Sequence, residues 1–227
     1  MKVIGHRGWP TRYPDNVLEG IAAALDVADM VEVDIRVSGD QHLVLSHDPA
    51  LGGMSVGETP WAALAEVDLG SGFHPASLDQ LLERFPSSSF NLEVKNSPGE
   101  PGFDPDHGGA LRTAALSRPG DLLSCFFWPT MDAVRVGFPG VATGLLVDSD
   151  WDVAEAVDHA LAQGHVAVIP HWELALRSEP ACQIAAEAGL TVAVWTLNDP
   201  SRVSELESIG VTAIITDDPG ELRRAVG

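Results

Sequence analysis

Six polar clusters end short apolar runs in this 227-residue chain: His6-Arg7-Gly8, Glu32-x-Asp34, His47-Asp48, Glu93-x-Lys95, Trp195-Thr196-x-Asn198 and Thr216-Asp217-Asp218. Glu32 and Asp34 stand two apart in an apolar run, so on a strand both side chains point to the same face. Glu93, carried by a later strand, can meet them there. Three converging carboxylates repel one another, and a hard divalent cation with oxygen ligands relieves that repulsion. Glu32, Asp34 and Glu93 are therefore the candidate ligands of one divalent cation, Mg²⁺ or Ca²⁺ first and Mn²⁺ next. No His/Cys cluster stands out in the sequence, so a structural zinc is not expected. His6 and His47 flank the trio, and two imidazoles beside one centre can divide base and acid work near neutral pH. Arg7 and Lys95 supply fixed positive charge suited to a phosphate oxygen, or ion pairs to the same carboxylates. His42, His74, His107, His159 and His165 are read as surface residues or as satisfied core residues.

What must position these groups is legible from the apolar runs. Strands are expected at residues 3–5, 30–35, 43–47, 90–94, 122–127, 143–147, 166–170, 191–196 and 213–216, each short and rich in Val, Ile or Phe. Amphipathic stretches lie between them. Residues 16–28 carry Leu18, Ile21, Ala22 and Leu25 on one stripe, and Ser77 with Gln80 makes a capping box. Asp199-Pro200 and Asp218-Pro219 each read as an N-cap followed by Pro at the first helical position. The second and third strands are separated by too few residues for a parallel crossover, so they form an antiparallel hairpin. Without that hairpin strand, eight strands remain, nearly all followed by helix. The expectation is one domain over residues 1–227, a (β/α)8 TIM barrel with an extra antiparallel hairpin strand after strand 2. A doubly wound open sheet is the runner-up, disfavoured because no Gly-rich phosphate fingerprint follows any strand. Active sites of such barrels sit at the C-terminal strand ends, where the polar clusters fall.

Composition narrows the partners. Thirteen Lys+Arg against 33 Asp+Glu give a formal charge of −20, which repels nucleic-acid backbones and anionic bilayers, so neither nucleic acid nor a stable membrane association is expected. Only Lys2 and Lys95 are lysines, which makes the position of Lys95 informative. No run is apolar enough for a membrane span, and the N-terminal MKVIGHRGWP meets a turn and arginines before any signal-peptide core; a cytoplasmic protein is expected. Cys125 and Cys182 lack C-x-x-C spacing and are expected as free thiols.

The ordered set GHRG, PDN, VEVDIRVSGD, LVLSHDP, ASLDQLLERF, LEVK, VAVWTLND and IITDDP resembles the glycerophosphodiester phosphodiesterase family along the whole chain. The resemblance implies a metal-dependent barrel hydrolysing glycerophosphodiesters, small molecules such as deacylated phospholipids, to sn-glycerol 3-phosphate and an alcohol. By motif position it implies Glu32, Asp34 and Glu93 as metal ligands, His6 and His47 as the acid/base pair, and Arg7 and Lys95 as phosphate contacts, with Trp195 lining the pocket. The expected mechanism is attack by the glycerol 2-hydroxyl, with His6 as base and His47 as acid, through a cyclic phosphate that water then opens. Two departures stand out. Pro14-Asp15-Asn16-Val17 shortens a carboxylate and loses a hydroxyl relative to the family pattern, leaving Asp15 as a helix cap. The sixth strand ends in Pro170-His171-Trp172, making His171 an unassigned pocket candidate. Segments 47–77 and 97–109 lie where the leaving alcohol would be selected. Two competing readings are a phospholipase-type enzyme acting on lysolipid or intact lipid, disfavoured by the acidic surface and few aromatics, and a catalytically silent barrel used for binding, disfavoured because every motif residue is present.

Overall fold

The structure, a computed structural model, describes residues 1–226. In chain order the strands are β1 (Lys2–His6), β2 (Met30–Val37), β3 (Leu43–Leu45), β4 (Ala50–Leu51), β5 (Met54–Ser55), β6 (Phe90–Val94), β7 (Leu122–Cys125), β8 (Ala142–Val147), β9 (Ala167–Pro170), β10 (Thr191–Val194) and β11 (Ala213–Thr216). The helices are α1 (Leu18–Leu25), α2 (Trp61–Leu64), α3 (Leu78–Arg84), α4 (Gly108–Leu116), α5 (Trp128–Gly137), α6 (Val153–Gln163), α7 (Trp172–Arg177), α8 (Glu179–Glu187), α9 (Val203–Ser208) and α10 (Pro219–Val226). β1 pairs in parallel with both β11 and β2, which closes the ring β1-β2-β6-β7-β8-β9-β10-β11. β3 stands outside the ring, antiparallel on β2 with Ile35 opposite Leu45, and β4–β5 is a separate small hairpin. The fold is the expected eight-stranded barrel with an added hairpin strand.

Side-chain alternation on the strands sorts the core. Outward residues such as Val3, Val33, Leu92, Leu123, Leu145 and Ile214 pack under the helices. Inward Ile4, Leu146, Ala167, Ile169, Ala193, Ala213 and Ile215 fill the barrel interior. Along three neighbouring strands that interior turns polar toward the C-terminal end, from Ile4 to His6, from Met30 to Glu32 and Asp34, and through Asn91 to Glu93. A third, small cluster of Val44, Val56 and Leu64 supports the segment after β3.

Helix boundaries follow local chemistry. Ser77 and Gln80 form the expected capping box of α3, and Asp199 accepts from Ser201 N–H ahead of the 3-10 turn that leads into α9. Asp218 Oδ1 accepts from Glu221 N–H at 2.8 Å at the start of α10.

Three expectations are corrected. The helix expected from residue 16 begins at Leu18, with Val17 as N-cap; Asn16 adopts φ of 60° and lies outside it. Asp15 is no helix cap, because its carboxylate takes the Arg7 guanidinium at 2.9 Å. The strands expected at 43–47, 122–127 and 191–196 stop at Leu45, Cys125 and Val194. Beyond these ends the pairing thins: Trp195 keeps one isolated parallel bridge to His171, and the His47 carbonyl accepts from the Arg36 side chain instead of a strand partner.

Candidate active site

Strand register assembles the centre. Parallel pairing sets His6 beside Glu32 across β1–β2 and Asp34 beside Glu93 across β2–β6. One carboxylate oxygen each from Glu32, Asp34 and Glu93 lie within 4.8 Å of one another, and all three residues are buried. Glu32 Oε2 accepts from the Arg7 N–H at 3.0 Å, whereas Glu32 Oε1 is buried without a hydrogen-bond partner. An ionised oxygen left bare in a protein interior is costly unless a cation meets it. Burial first, and then the neighbouring Asp34 charge, push the Glu32 carboxyl well above the usual carboxylate range. A trio of oxygen donors with an orphaned member fits a hard divalent cation.

Arg7 and Lys95 fill the second of the two roles open to them in the sequence, as ion-pair partners of the carboxylates. Arg7 Nε lies 3.2 Å from Asp34 Oδ2, and Lys95 Nζ lies 2.8 Å from Asp34 Oδ1 while also bonding Glu93. Burial works against an ionised Asp34, but Lys95 and Arg7 overcome it and hold this carboxyl below its usual value. Burial likewise disfavours a charged Lys95, yet Glu93 and Asp34 raise its pKa above the ordinary lysine value. Both cations border the centre, placed to meet an anionic ligand.

The turn after β1 is wired to these carboxylates. Arg7 has φ of 51° and Gly8 of 96°. A Cβ on Gly8 would sit 2.9 Å from the backbone of Gly20 and Ile21, so only glycine fits there. The loop preceding α1 returns to brace the turn through Asn16 N–H to the Arg7 carbonyl, at 2.9 Å. Asn16 then grips Asp34 twice: Nδ2 donates to Oδ2 at 2.8 Å and Oδ1 accepts from the Asp34 N–H at 3.1 Å. Its left-handed backbone, which asparagine tolerates, makes this double contact reachable.

His6 and His47 face one cavity of about 100 Å³ that also touches Arg7, Glu32, Glu93 and Lys95. His6 Nδ1 sits 2.7 Å from Asp217 Oδ1, and Asn198 fixes that carboxylate through Nδ2 at 2.6 Å. Burial disfavours protonated His6, but the Asp217 hydrogen bond and the Glu32 charge outweigh it and raise its pKa above the ordinary histidine value. With Nδ1 committed to Asp217, Nε2 is the free nitrogen. His47 is more exposed and pairs with Asp48 at 2.8 Å. Trp195 lines the cavity and packs edge-on against Phe126 and His171, both with ring centroids 5.3 Å away. His171 itself caps α7, accepting from Glu173 N–H, and supports Trp195 from behind rather than lining the cavity.

A second cavity, of about 520 Å³, opens beside His47, Glu93 and Lys95. Ser97, Pro98 and Glu100 form part of its wall, as the loop at 97–109 suggested. Phe126, Phe127, Asp148 and Trp151 form another part, which sequence reasoning missed. The sequence places Phe126 and Phe127 inside an expected strand, and only the end of β7 at Cys125 exposes them as loop residues. Asn16 and Asp217 were likewise missed as partners of Asp34 and His6, since neither contact leaves a local spacing signal.

The sequence profile of the glycerophosphoryl diester phosphodiesterase family matches residues 6–221. A glycerophosphodiester phosphodiesterase of Bacillus subtilis is 24% identical over 246 residues, 95% of this chain and 83% of the relative. The crystal structure of the Thermotoga maritima glycerophosphodiester phosphodiesterase superposes with a TM-score of 0.83 at 24% identity, covering 99% of this chain and 97% of that one. An Oleispira antarctica phosphodiesterase, solved with its product sn-glycerol-3-phosphate, superposes with a TM-score of 0.83 at 23% identity over 100% of this chain and 96% of that one.

Proposed function

This chain belongs to the glycerophosphoryl diester phosphodiesterase family and is a phosphodiesterase; on that premise we propose that it hydrolyses glycerophosphodiesters to sn-glycerol 3-phosphate and an alcohol in a divalent-cation-dependent reaction. The observation that carries the reading is the orphaned Glu32 oxygen inside a carboxylate trio flanked by two histidines at the barrel mouth. Glu32, Asp34 and Glu93 would hold the cation, Mg²⁺ or Ca²⁺, which would supply Lewis-acid stabilisation of phosphoryl charge there.

Arg7 and Lys95 bind the remaining phosphoryl charge. His6, oriented by Asp217 and Asn198, takes the proton of the glycerol 2-hydroxyl at Nε2 as that oxygen attacks phosphorus. The bond from phosphorus to the alcohol breaks, and protonated His47 gives its proton to the leaving oxygen. The cyclic phosphate is then opened by water, with His47 as base and His6 returning its proton to the 2-oxygen. Both histidines finish in their starting states, and the net reaction consumes one water. General acid–base groups of this kind contribute roughly 10²–10⁴-fold each.

The leaving alcohol faces the larger cavity. Aromatic Phe126, Phe127 and Trp151 with the Asp148 carboxylate suit an alcohol bearing an ammonium or quaternary ammonium group. The site is open to a small diester in spite of the −20 surface, because charges more than a Debye length of ~8 Å away are largely screened. No helix of the described residues is long and apolar enough to cross a membrane. Phosphorus-31 NMR of glycerophosphocholine turnover tests the proposal. The diester resonance should give way to the monoester with a transient cyclic phosphate; persistence of the diester after Mg²⁺ or Ca²⁺ is restored refutes it.

A further inference from the structure

Outside the barrel interior, three side chains that the reaction does not use converge between α5 and α6. Asp132 on α5 presents Oδ1 at 2.9 Å from His159 Nε2 on α6 and at 3.0 Å from His165 Nε2 in the turn after α6. The three donor atoms lie within 4.8 Å of one another. The imidazole planes are within 9° of parallel with centroids 5.8 Å apart, so both rings turn the same nitrogen toward one oxygen. The expectation that the chain holds no histidine cluster is thereby corrected: Asp132, His159 and His165 are too widely spaced in sequence to announce it.

We propose that Asp132, His159 and His165 form a second metal site, selective for zinc-like ions of borderline softness and separate from the carboxylate centre. Two imidazole nitrogens and one carboxylate oxygen make up the three-residue donor set that zinc accepts, with a fourth position left for water. Mg²⁺ and Ca²⁺, which prefer all-oxygen shells, are poorly served here.

The surroundings fit this ion. His165 is fully buried at its side chain, and its far nitrogen, Nδ1, lies 2.7 Å from Thr143 Oγ1. A hydroxyl can accept the Nδ1–H, which frees the Nε2 lone pair for a metal; fixing a ligating histidine through its second nitrogen is the usual outer contact of such sites. Among the described residues, Asp132 ion-pairs only with these two histidines. The nearby Arg135 instead donates to the Pro139 and Val141 carbonyls. The carboxylate thus lacks a fixed cationic partner, and a bound cation supplies one. Asp132 and His159 are about 30% exposed, which gives the ion an entry path and its water a place.

The site also has a structural consequence. Trp128 at the start of α5 packs on His159 at 5.4 Å and on Trp151 at 5.8 Å. An ion joining α5, α6 and the approach to β9 holds the layer beneath the aromatic wall of the larger cavity.

The test uses chelator-stripped full-length protein and zinc chloride alone. In long-range ¹H–¹⁵N spectra, one equivalent of zinc should shift the Nε2 resonances of His159 and His165 while Nδ1 of His165 keeps its proton. By calorimetry in the Glu93→Gln background, which removes a ligand of the carboxylate centre, a zinc isotherm should persist that adding His159→Gln abolishes and adding Thr143→Val weakens about tenfold. Zinc should raise the melting temperature of Glu93→Gln but not of the Glu93→Gln, His159→Gln double variant. Unshifted histidine nitrogens, or equal zinc binding with and without His159→Gln in that background, would overturn the proposal and leave a hydrogen-bonded staple. Should His159→Gln fail to fold, the wild-type nitrogen spectrum alone decides.

Discussion

Replacing Asn16 by alanine tests how the candidate ligand Asp34 is held. Asn16 is 3% exposed and Asp34 0%, so water cannot substitute for what the mutation removes. The Asp34 N–H loses its acceptor, and a buried backbone donor left bare costs about 1–3 kcal/mol. The bond from Nδ2 to the Asp34 carboxylate is charge-assisted and contributes about 1.5–3 kcal/mol. Alanine at φ of 60° adds about 1 kcal/mol of left-handed strain. Toward the lower ends of these ranges, Asn16→Ala should destabilise the protein by about 4 kcal/mol, a large share of the roughly 5–15 kcal/mol of a typical domain. Asn16→Gly, which loses both bonds without the strain, should be about 1 kcal/mol milder. Urea unfolding in chelator measures both losses through the shift in midpoint. Calorimetry with Mg²⁺ or Ca²⁺ should show affinity lowered about 10–100-fold, because Asp34 loses its outer support. A destabilisation below 1 kcal/mol with an unchanged isotherm would refute this account of Asn16.

Other outcomes follow from the same contacts. His6 is raised above its ordinary pKa because the Asp217 bond and the Glu32 charge outweigh burial. Asp217→Asn removes one source of that rise, so the acidic limb of the kcat/KM profile should move to lower pH, with kcat falling roughly 10–100-fold; an unmoved limb contradicts the pairing. The stability lost should be present below about pH 6.5 and vanish as pH rises through the folded pKa, since the protonated form is the one favoured by folding. Trp151→Ala should lower kcat/KM for glycerophosphocholine about 5–30-fold and leave glycerophosphoglycerol nearly unchanged; equal losses would remove the cationic-alcohol reading. Burial pushes the Cys125 and Cys182 thiols up to about 11, so neither should react with Ellman's reagent at pH 8 until the protein is denatured; rapid native labelling would contradict their burial.

How much of this was legible depended on whether a contact left a periodic trace. Glu32 and Asp34 share a face because strands alternate, and the β2–β6 register brings Glu93 level with Asp34; period and strand count sufficed. The hairpin was readable because seven intervening residues cannot make a parallel crossover. Asn16 misled because an asparagine leading into an apolar stripe reads as the start of the helix, whereas a positive φ turns it toward Asp34. Asp15 misled in the same way, and its real partner, Arg7, lies on another loop. Strand ends were overrun because apolar Phe126 and Phe127 continue the composition of β7 after its ladder has stopped. The Asp132–His159–His165 meeting arises only from the packing of α5 against α6 and the turn beyond, which no spacing rule encodes.

The most direct measurement is the release of glycerol 3-phosphate from glycerophosphocholine, followed by a coupled assay after chelation and then Mg²⁺ or Ca²⁺ restoration. Wild type should be silent in chelator and active on restoration, while His6→Ala and His47→Ala stay at least about 10²-fold slower at the same cation concentration. Wild-type turnover in chelator, or wild-type rates in both histidine variants, would contradict the account.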